Sequence, residues 1–359
     1  MIPKVPFRQA ITDTKLLGNV LPRDSYRPID IISTAAFGEA LTDEERVIFQ
    51  QFTGRDHEPD KRIDELIVVK GRRSGLSSTA GKSWIPYIAG LCTHPALVRG
   101  ERGVVLCVAP DQAQATILLD YAHAAFEQSP ILSQLIKNRT SDTLALTNNI
   151  SIEVRSSNFR RLRGSTYAAV NCDESAFWMD SESGSSNPDT EILEAIRPGL
   201  ATTGGPLFMI SSPYARRGVL WETYDKHYGA KGDPLILVAQ GTSRQFNPTL
   251  PQAVVDRALE RDPAAASAEW LAQFRLTSNP SYRWKLCVPL SVPAFTKDRC
   301  STASDTRVLL IRQVGAALIA SHFLLVITCP AKSASWLTRS ANIVPRSAQR
   351  QLLLNVPIR

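Results

Sequence analysis

The chain lacks the usual marks of a metal, disulfide or membrane protein. Its six cysteines (Cys92, Cys107, Cys172, Cys287, Cys300 and Cys329) form no Cys-x-x-Cys pair. That argues against a zinc site or a disulfide framework and for reduced thiols in a cytoplasm. His57, His94, His123 and His227 show no ligand spacing. The opening Met-Ile-Pro-Lys-Val-Pro-Phe has no basic-then-apolar leader, so a signal peptide is not expected. The apolar run from Gly315 to Cys329 contains His322 and falls short of the roughly 20 residues that a membrane helix needs. No internal repeat is present. Glutamate is absent from 277 to 359.

Charge is present in quantity but unevenly placed. The formal net charge is +7. Residues 277–359 hold eleven Lys/Arg against two acids, Asp298 and Asp305, leaving the first 276 residues at −2. The basic excess therefore belongs to the tail, and it says little about nucleic-acid binding by the rest of the chain.

Hydrophobic patterning predicts alternating strands and helices. Residues 1–60 read as a polar, proline-containing lead-in with one amphipathic helix near Thr42–Phe52. Apolar runs at Glu65–Lys70, Gly103–Ala109, Tyr167–Cys172 and Leu207–Ser211 read as buried strands, and Leu235–Ala239 as extended. Thr143–Thr147 and Ile150–Arg155, joined by Asn148-Asn149, read as a hairpin. Helices are expected through Trp84–Leu91, after an Asp111 cap, from about Asp189, and over Val219–Tyr228. The segment 246–276 reads as a helical linker of two helices, Leu250–Arg261 and Ala264–Arg275. Such alternation implies an α/β fold with a mostly parallel sheet and ligands at the carboxyl ends of its strands.

Three strand ends carry chemistry. After the first comes Lys70-Gly71-Arg72-Arg73-Ser74-Gly75-Leu76-Ser77. A glycine-rich turn between strand and helix lets backbone N–H groups face a triphosphate, with the helix dipole adding to the attraction. Leu76 stands where a P-loop normally has its lysine, and Lys70 offers a charge from the other end of the loop. Gly81-Lys82-Ser83 lies too far into the helix to serve. The second strand ends in Asp173-Glu174, a pair suited to a Mg²⁺ ligand (Asp173, with Ser77) and a general base (Glu174). The third ends in Ser211-Ser212-Pro213, small groups able to sense a γ-phosphate. Arg72, Arg73, Arg160, Arg161, Arg163, Arg197, Arg216 and Arg217 are candidates for stabilising phosphoryl charge, with Arg72 favoured. Alone, a glycine-rich βα turn need bind nothing, and an acidic pair can simply be solvated.

Together, Val-Val-Lys-Gly-Arg-Arg-Ser-Gly, Phe159-Arg-Arg-Leu-Arg-Gly-Ser-Thr, Val-Asn-Cys-Asp-Glu-Ser-Ala-Phe-Trp and Ile-Ser-Ser-Pro-Tyr-Ala-Arg-Arg-Gly resemble the large terminase subunits of tailed phages, over about Thr42 to Arg275. The resemblance implies a P-loop ATPase of the additional-strand type over 61–245. It further implies ATP and Mg²⁺ as cofactors, with Lys70, Gly71, Arg72, Arg73, Ser74, Gly75 and Ser77 around the nucleotide. Some family members place the P-loop lysine at the start of the loop, as Lys70 is here. Carried over by position, Asp173 would hold the metal, Glu174 would be the base, and Ser211, Ser212 and Pro213 would couple hydrolysis to movement. The implied partners are double-stranded DNA, a portal protein, a terminase small subunit and further copies of the chain in a ring. The implied place is the procapsid portal in the host cytoplasm. Two other readings stay open: another P-loop nucleic-acid ATPase such as a helicase, and an inactive prophage remnant.

The family normally continues into an RNase H-like nuclease whose first carboxylate lies in Asp-Pro-Ser-Gly-Gly. No such run occurs here, and 277–359 reads as an irregular tail. Synonymous codons for Arg307–Ala316, read one register over, can spell Gly-Phe-Val-Asp-Pro-Ser-Gly-Gly-Ser. The same register across Leu276–Leu286 permits Asp-Ile-Glu-Ser-Phe-Val-Ser-Leu-Glu-Ala. A frameshift near Leu276 that replaced the nuclease is the expectation that follows.

Overall fold

A computed structural model describes residues 1–157, 162–178 and 188–275, and four short strands beyond them. The chain divides into two compact units, Met1–Thr277 and Ser278–Arg359. The first is built on eight strands: β1 (Glu65–Lys70), β2 (Gly103–Ala109), β3 (Ile136–Arg139), β4 (Thr143–Leu146), β5 (Ile150–Ser156), β6 (Tyr167–Asp173), β7 (Leu207–Ser211) and β8 (Ile236–Gly241). They form one sheet in the order β8-β1-β7-β6-β2-β5-β4-β3. The six strands from β8 to β5 run parallel, and the β5-β4-β3 edge is antiparallel. β1 and β6 are thus separated by the single strand β7. This is the additional-strand arrangement, and it brings three carboxyl ends to one edge.

Parallel strands buried on both faces read as near-continuous apolar runs, as β1, β2, β6 and β7 do apart from Glu65, Lys70, Asn171, Asp173 and Ser211. One face packs against α1 (Phe7–Thr12), α2 (Arg23–Ala36), α3 (Asp43–Thr53), α4 (Leu76–Thr79), α5 (Ile85–Leu91) and α6 (Gln112–Gln128). The other packs against α7 (Pro188–Ala201) and α8 (Gly218–His227). Three short helices follow β8: α9 (Ser243–Phe246), α10 (Gln252–Arg261) and α11 (Pro263–Leu271). A π-helical segment, Ala80–Trp84, joins α4 to α5.

The helix expected near Thr42–Phe52 is α3, started by a capping box in which Thr42 and Glu45 satisfy one another's backbone N–H. Asp111 caps α6 as expected. The polar lead-in is different from its reading. It holds two further helices, and its Phe7, Leu17, Ile29, Ile32 and Phe37 lie in the main core. The reason is local: the apolar positions sit singly among charges and prolines, so no sustained period is visible in a linear reading.

In the second unit the described residues are strands β9 (Phe295–Ala303), β10 (Thr306–Gln313), β11 (Leu325–Thr328) and β12 (Asn342–Ile343), paired antiparallel in chain order. Arg160, Arg161, the segment 181–187 and Leu276 lie outside the described residues. Among those described, no helix is long and apolar enough to cross a membrane.

Candidate functional site

The turn after β1 is held from three sides. Gly71 lies against α9 and α11, so tightly that a Cβ there would meet the Ser243 hydroxyl at 2.3 Å, its N at 2.4 Å and the Trp270 carbonyl at 2.5 Å. Arg72 N–H donates to the Glu269 carbonyl (2.5 Å), and the Asn247 side-chain amide donates to the Arg73 carbonyl (2.8 Å). Arg73 and Gly75 take left-handed backbone angles (φ 59° and 81°), a conformation glycine adopts freely and arginine at a cost. From the third side comes α2. Tyr26 hydroxyl is 3.1 Å from Ser78 Oγ, and a Cβ on Gly75 would meet its ring at 2.9 Å.

Lys70 ends β1 and Asp173 ends β6, on either side of β7 at the same sheet edge, and both project to the face that carries α4. The Lys70 Nζ donates to Glu174 Oε1 at 2.5 Å, and Ser77 Oγ donates to Asp173 Oδ2 at 2.9 Å. The other Glu174 oxygen accepts from Ser212 N–H at 3.3 Å and faces Ser211 Oγ at 3.5 Å. Ser211 Oγ also accepts from Ala176 N–H (3.1 Å). Glu174 itself sits at φ 49°, a left-handed position that a non-glycine residue holds only when its surroundings fix it. The three motifs thus meet at one place, directly bonded to one another.

They open on a cavity of about 900 Å³ lined by Lys70, Arg72, Arg73, Ser74, Gly75 and Ser77 on one side and Glu174 beside them. Asn247, Leu250, Val254 and Trp270 line it as well. That volume is of the size that takes a small cofactor. Burial pushes the Asp173 carboxyl up to about 6, against the pull of the Lys70 ammonium. A divalent cation would restore its charge. Among the described residues no cluster of three His, Cys, Asp or Glu could hold a metal unaided. Asp173 and Ser77 are hard oxygen donors at one point beside the phosphate loop. That set suits Mg²⁺, which takes one or two protein ligands and completes its shell with phosphate oxygens and water.

The other candidates fall in different places. Arg72 is 61% exposed and pairs with Glu269 at 3.5 Å on the cavity rim. Arg197 is bound to Glu65 (3.0 Å) at the opposite end of β1. Arg216 stacks over Trp221, 5.1 Å from its ring centre. Arg163 and Arg217 are exposed. Lys82 lies over Tyr121, consistent with its exclusion from the phosphate loop. Sequence reasoning missed the cavity lining that comes from beyond β8, and the Tyr26 contact. Both come from segments distant in the chain, and the close approach at Gly71 has no local signal beyond the glycine itself.

No protein-family model matches the chain, and no curated protein is similar to it. Solved structures are. The ATPase domain of the large terminase of Thermus phage P74-26 is 17% identical over 59% of this chain and 89% of its own, with a TM-score of 0.46. The large terminase of bacteriophage HK97 is 17% identical over 76% of this chain and 57% of its own, with a TM-score of 0.46. A large terminase of a thermophilic bacteriophage, in complex with ADP, is 12% identical over 70% of this chain and 60% of its own, with a TM-score of 0.44. These neighbours are all phage large terminases.

Proposed function

We propose that the chain is an ATP hydrolase of the large-terminase type, the motor that drives double-stranded viral DNA through a portal into a procapsid. One observation carries the catalytic part of this reading. A lysine and a serine from the turn after β1 are hydrogen-bonded to consecutive carboxylates at the end of β6, over a cavity of nucleotide size.

In this reading the triphosphate lies in the turn 70–77 against backbone N–H groups, with Lys70 as its cationic partner. Asp173 and Ser77 would hold Mg²⁺, which supplies charge neutralisation on the phosphates. Glu174 orients a water and accepts its proton as the water oxygen bonds to the γ-phosphorus and the β–γ bridging bond breaks. Lys70 donates to Oε1 of Glu174, and Ser212 N–H to Oε2. A γ-phosphate is the more highly charged partner for Lys70, so its arrival frees Oε1 for the water. Loss of the phosphate reverses the exchange, and Ser211-Ser212-Pro213 carry the change into β7. Arg72, paired with Glu269 at 3.5 Å, would turn to the phosphates. The portal, a small subunit and further copies of the chain are the partners that this reading requires. In the same reading, 277–359 is out-of-frame sequence without nuclease activity. The gene's nucleotides around codon 276 test that part directly.

Purified protein should hydrolyse ATP in a Mg²⁺-dependent reaction. Glu174→Gln should slow turnover by about 100-fold or more while nucleotide binding persists. A parent protein without ATPase, or a Glu174→Gln variant as fast as the parent, rules the mechanism out. Stimulation by portal and duplex DNA identifies a packaging motor, and unwinding of a duplex identifies a helicase instead.

A further inference from the structure

Asn171 is an anomaly of the sheet. It sits in the middle of β6, 2% exposed, and neither its Nδ2 nor its Oδ1 has a hydrogen-bond partner. The interior of a parallel sheet is the place where an unpaired amide is least tolerable. The flanking Val170 and Cys172 pack into the α7–α8 core. Asn171 therefore projects to the opposite face, the one that carries α4 and the phosphate loop. Its register partners there are Cys107 on β2 and Phe208 on β7, both members of that face's core. Over Phe208 lies Trp84 of the π-helical segment, ring to ring at 4.8 Å. The neighbouring Ser83 hydroxyl is likewise buried without a partner.

Along the strand, the next side chain on this face is Asp173. Of the same-face neighbours in the sheet (Ala169, Cys107, Phe208 and Asp173), only Asp173 offers a strong acceptor. Its Oδ2 takes the Ser77 hydroxyl and its Oδ1 the Glu174 N–H, and each carboxylate oxygen has capacity for a further bond. Two residues along a strand cover about 6.6 Å, the reach of two hydrogen bonds through one bridging water.

We propose that Asn171 is a positioning residue for Asp173: its amide, through a buried water, fixes the carboxylate in the orientation that binds the metal ion of the nucleotide site. The inference rests on the ATPase reading above and adds a residue to it. A ligating carboxylate is commonly oriented by a hydrogen-bonded neighbour, and loss of such a neighbour costs about 10-fold to 100-fold in metal affinity.

The test reads metal binding apart from turnover. Thermal unfolding of the whole chain is followed with a non-hydrolysable ATP analogue while Mg²⁺ is titrated, for the parent, Asn171→Val and Asn171→Ala. With neither nucleotide nor metal, a cooperative melt shows which variant folds. The Mg²⁺ concentration giving half of the analogue's stabilisation should rise about 10-fold in both variants. Stabilisation by the analogue in excess chelator should not change. A half-point within about twofold of the parent, in whichever variant folds, overturns the proposal. A parent that shows no Mg²⁺-dependent stabilisation removes the nucleotide site itself, and the inference with it. A parent that shows it beside unaltered variants removes only the role of Asn171.

Discussion

Gly71 has no room for a methyl group. The Ser243 hydroxyl and backbone nitrogen and the Trp270 carbonyl occupy the space where a Cβ would stand, and two of the three are backbone atoms that cannot turn aside. Gly71→Ala should push the phosphate loop off α9 and α11, at about 1–3 kcal/mol. Nucleotide binding should weaken with it, because the same displacement moves Arg72 and Arg73. Denaturant unfolding and a binding titration on one preparation check both. A stable variant with parental affinity would show that the contact relaxes freely. Lys70 is a different kind of residue. Its ammonium is nearly buried and is bonded to a carboxylate at 2.5 Å, so Lys70→Met removes the cation from the ion pair with Glu174 and, on the proposed reading, from the triphosphate. It should cost ATP affinity more than fold stability, since Glu174 is a quarter exposed and can be rehydrated once unpaired. Comparing the melting temperature with the apparent KM for ATP separates the two effects.

At the level of elements, the sheet and most of its helices were legible because buried parallel strands leave contiguous apolar runs. β1, β2 and β7 match their expected bounds, and β6 differs by one residue at its end. The π-helical turn was not legible, since nothing in Ala-Gly-Lys-Ser-Trp departs from ordinary helix composition. The chemical residues at the three strand ends could be read, but not their bonds to one another, because strand order is not written in any local segment. Nor was the role of Arg55. Its guanidinium donates to the carbonyls of Gly229, Pro234, Asp233 and Ile236, tying the loop before β8 to the end of α3. Arg55→Ala leaves these carbonyls without their donor and should destabilise the fold by about 2 kcal/mol. Arg55→Lys should recover little, because an ammonium cannot reproduce the planar fork. Chemical denaturation of the pair decides between lost charge and lost geometry.

A second tie at the element scale depends on pH. Bidentate hydrogen bonds from Arg46 (2.8 and 2.9 Å) hold the Glu58 carboxyl down to about 2, with the Leu41 N–H adding to the effect. A carboxylate depressed in the folded state stabilises fully above its ordinary value of 4.5, and that contribution is lost as the pH falls through about 2. The pair is partly solvated, so its effect is modest. Between pH 4.5 and 2 the parent should lose stability more steeply than Glu58→Gln, which has no such proton to take up. Parallel acid limbs in the two proteins would show that the ion pair contributes nothing to folding.

On the scale of the whole first unit, the stretch before β1 is structural although its composition reads as an appendage. Phe7 stacks on Phe37 at 4.6 Å, and both rings meet Tyr87 edge-on at 5.1 and 4.9 Å. Tyr87 donates its hydroxyl to the Val5 carbonyl, and Trp84 donates its indole N–H to Ser33 Oγ. Trp84 and Tyr87 belong to the helix that begins at the phosphate loop. The chain's first segment thus fixes the far end of the element whose near end lines the cavity, while Tyr26 braces that near end. Removing residues 1–38 would uncover the faces now covered by Phe7, Leu17, Ile29, Ile32 and Phe37. Each such side chain is worth about 1.5–3 kcal/mol, so the loss approaches the about 5–15 kcal/mol that holds a typical domain together. The deleted chain should lose its cooperative thermal transition, bind a dye for exposed apolar surface, and show no stabilisation by ATP. If it instead melts cooperatively and still responds to nucleotide, the α4–α5 helix is anchored by the sheet alone, and the opening segment is the appendage that its composition suggested.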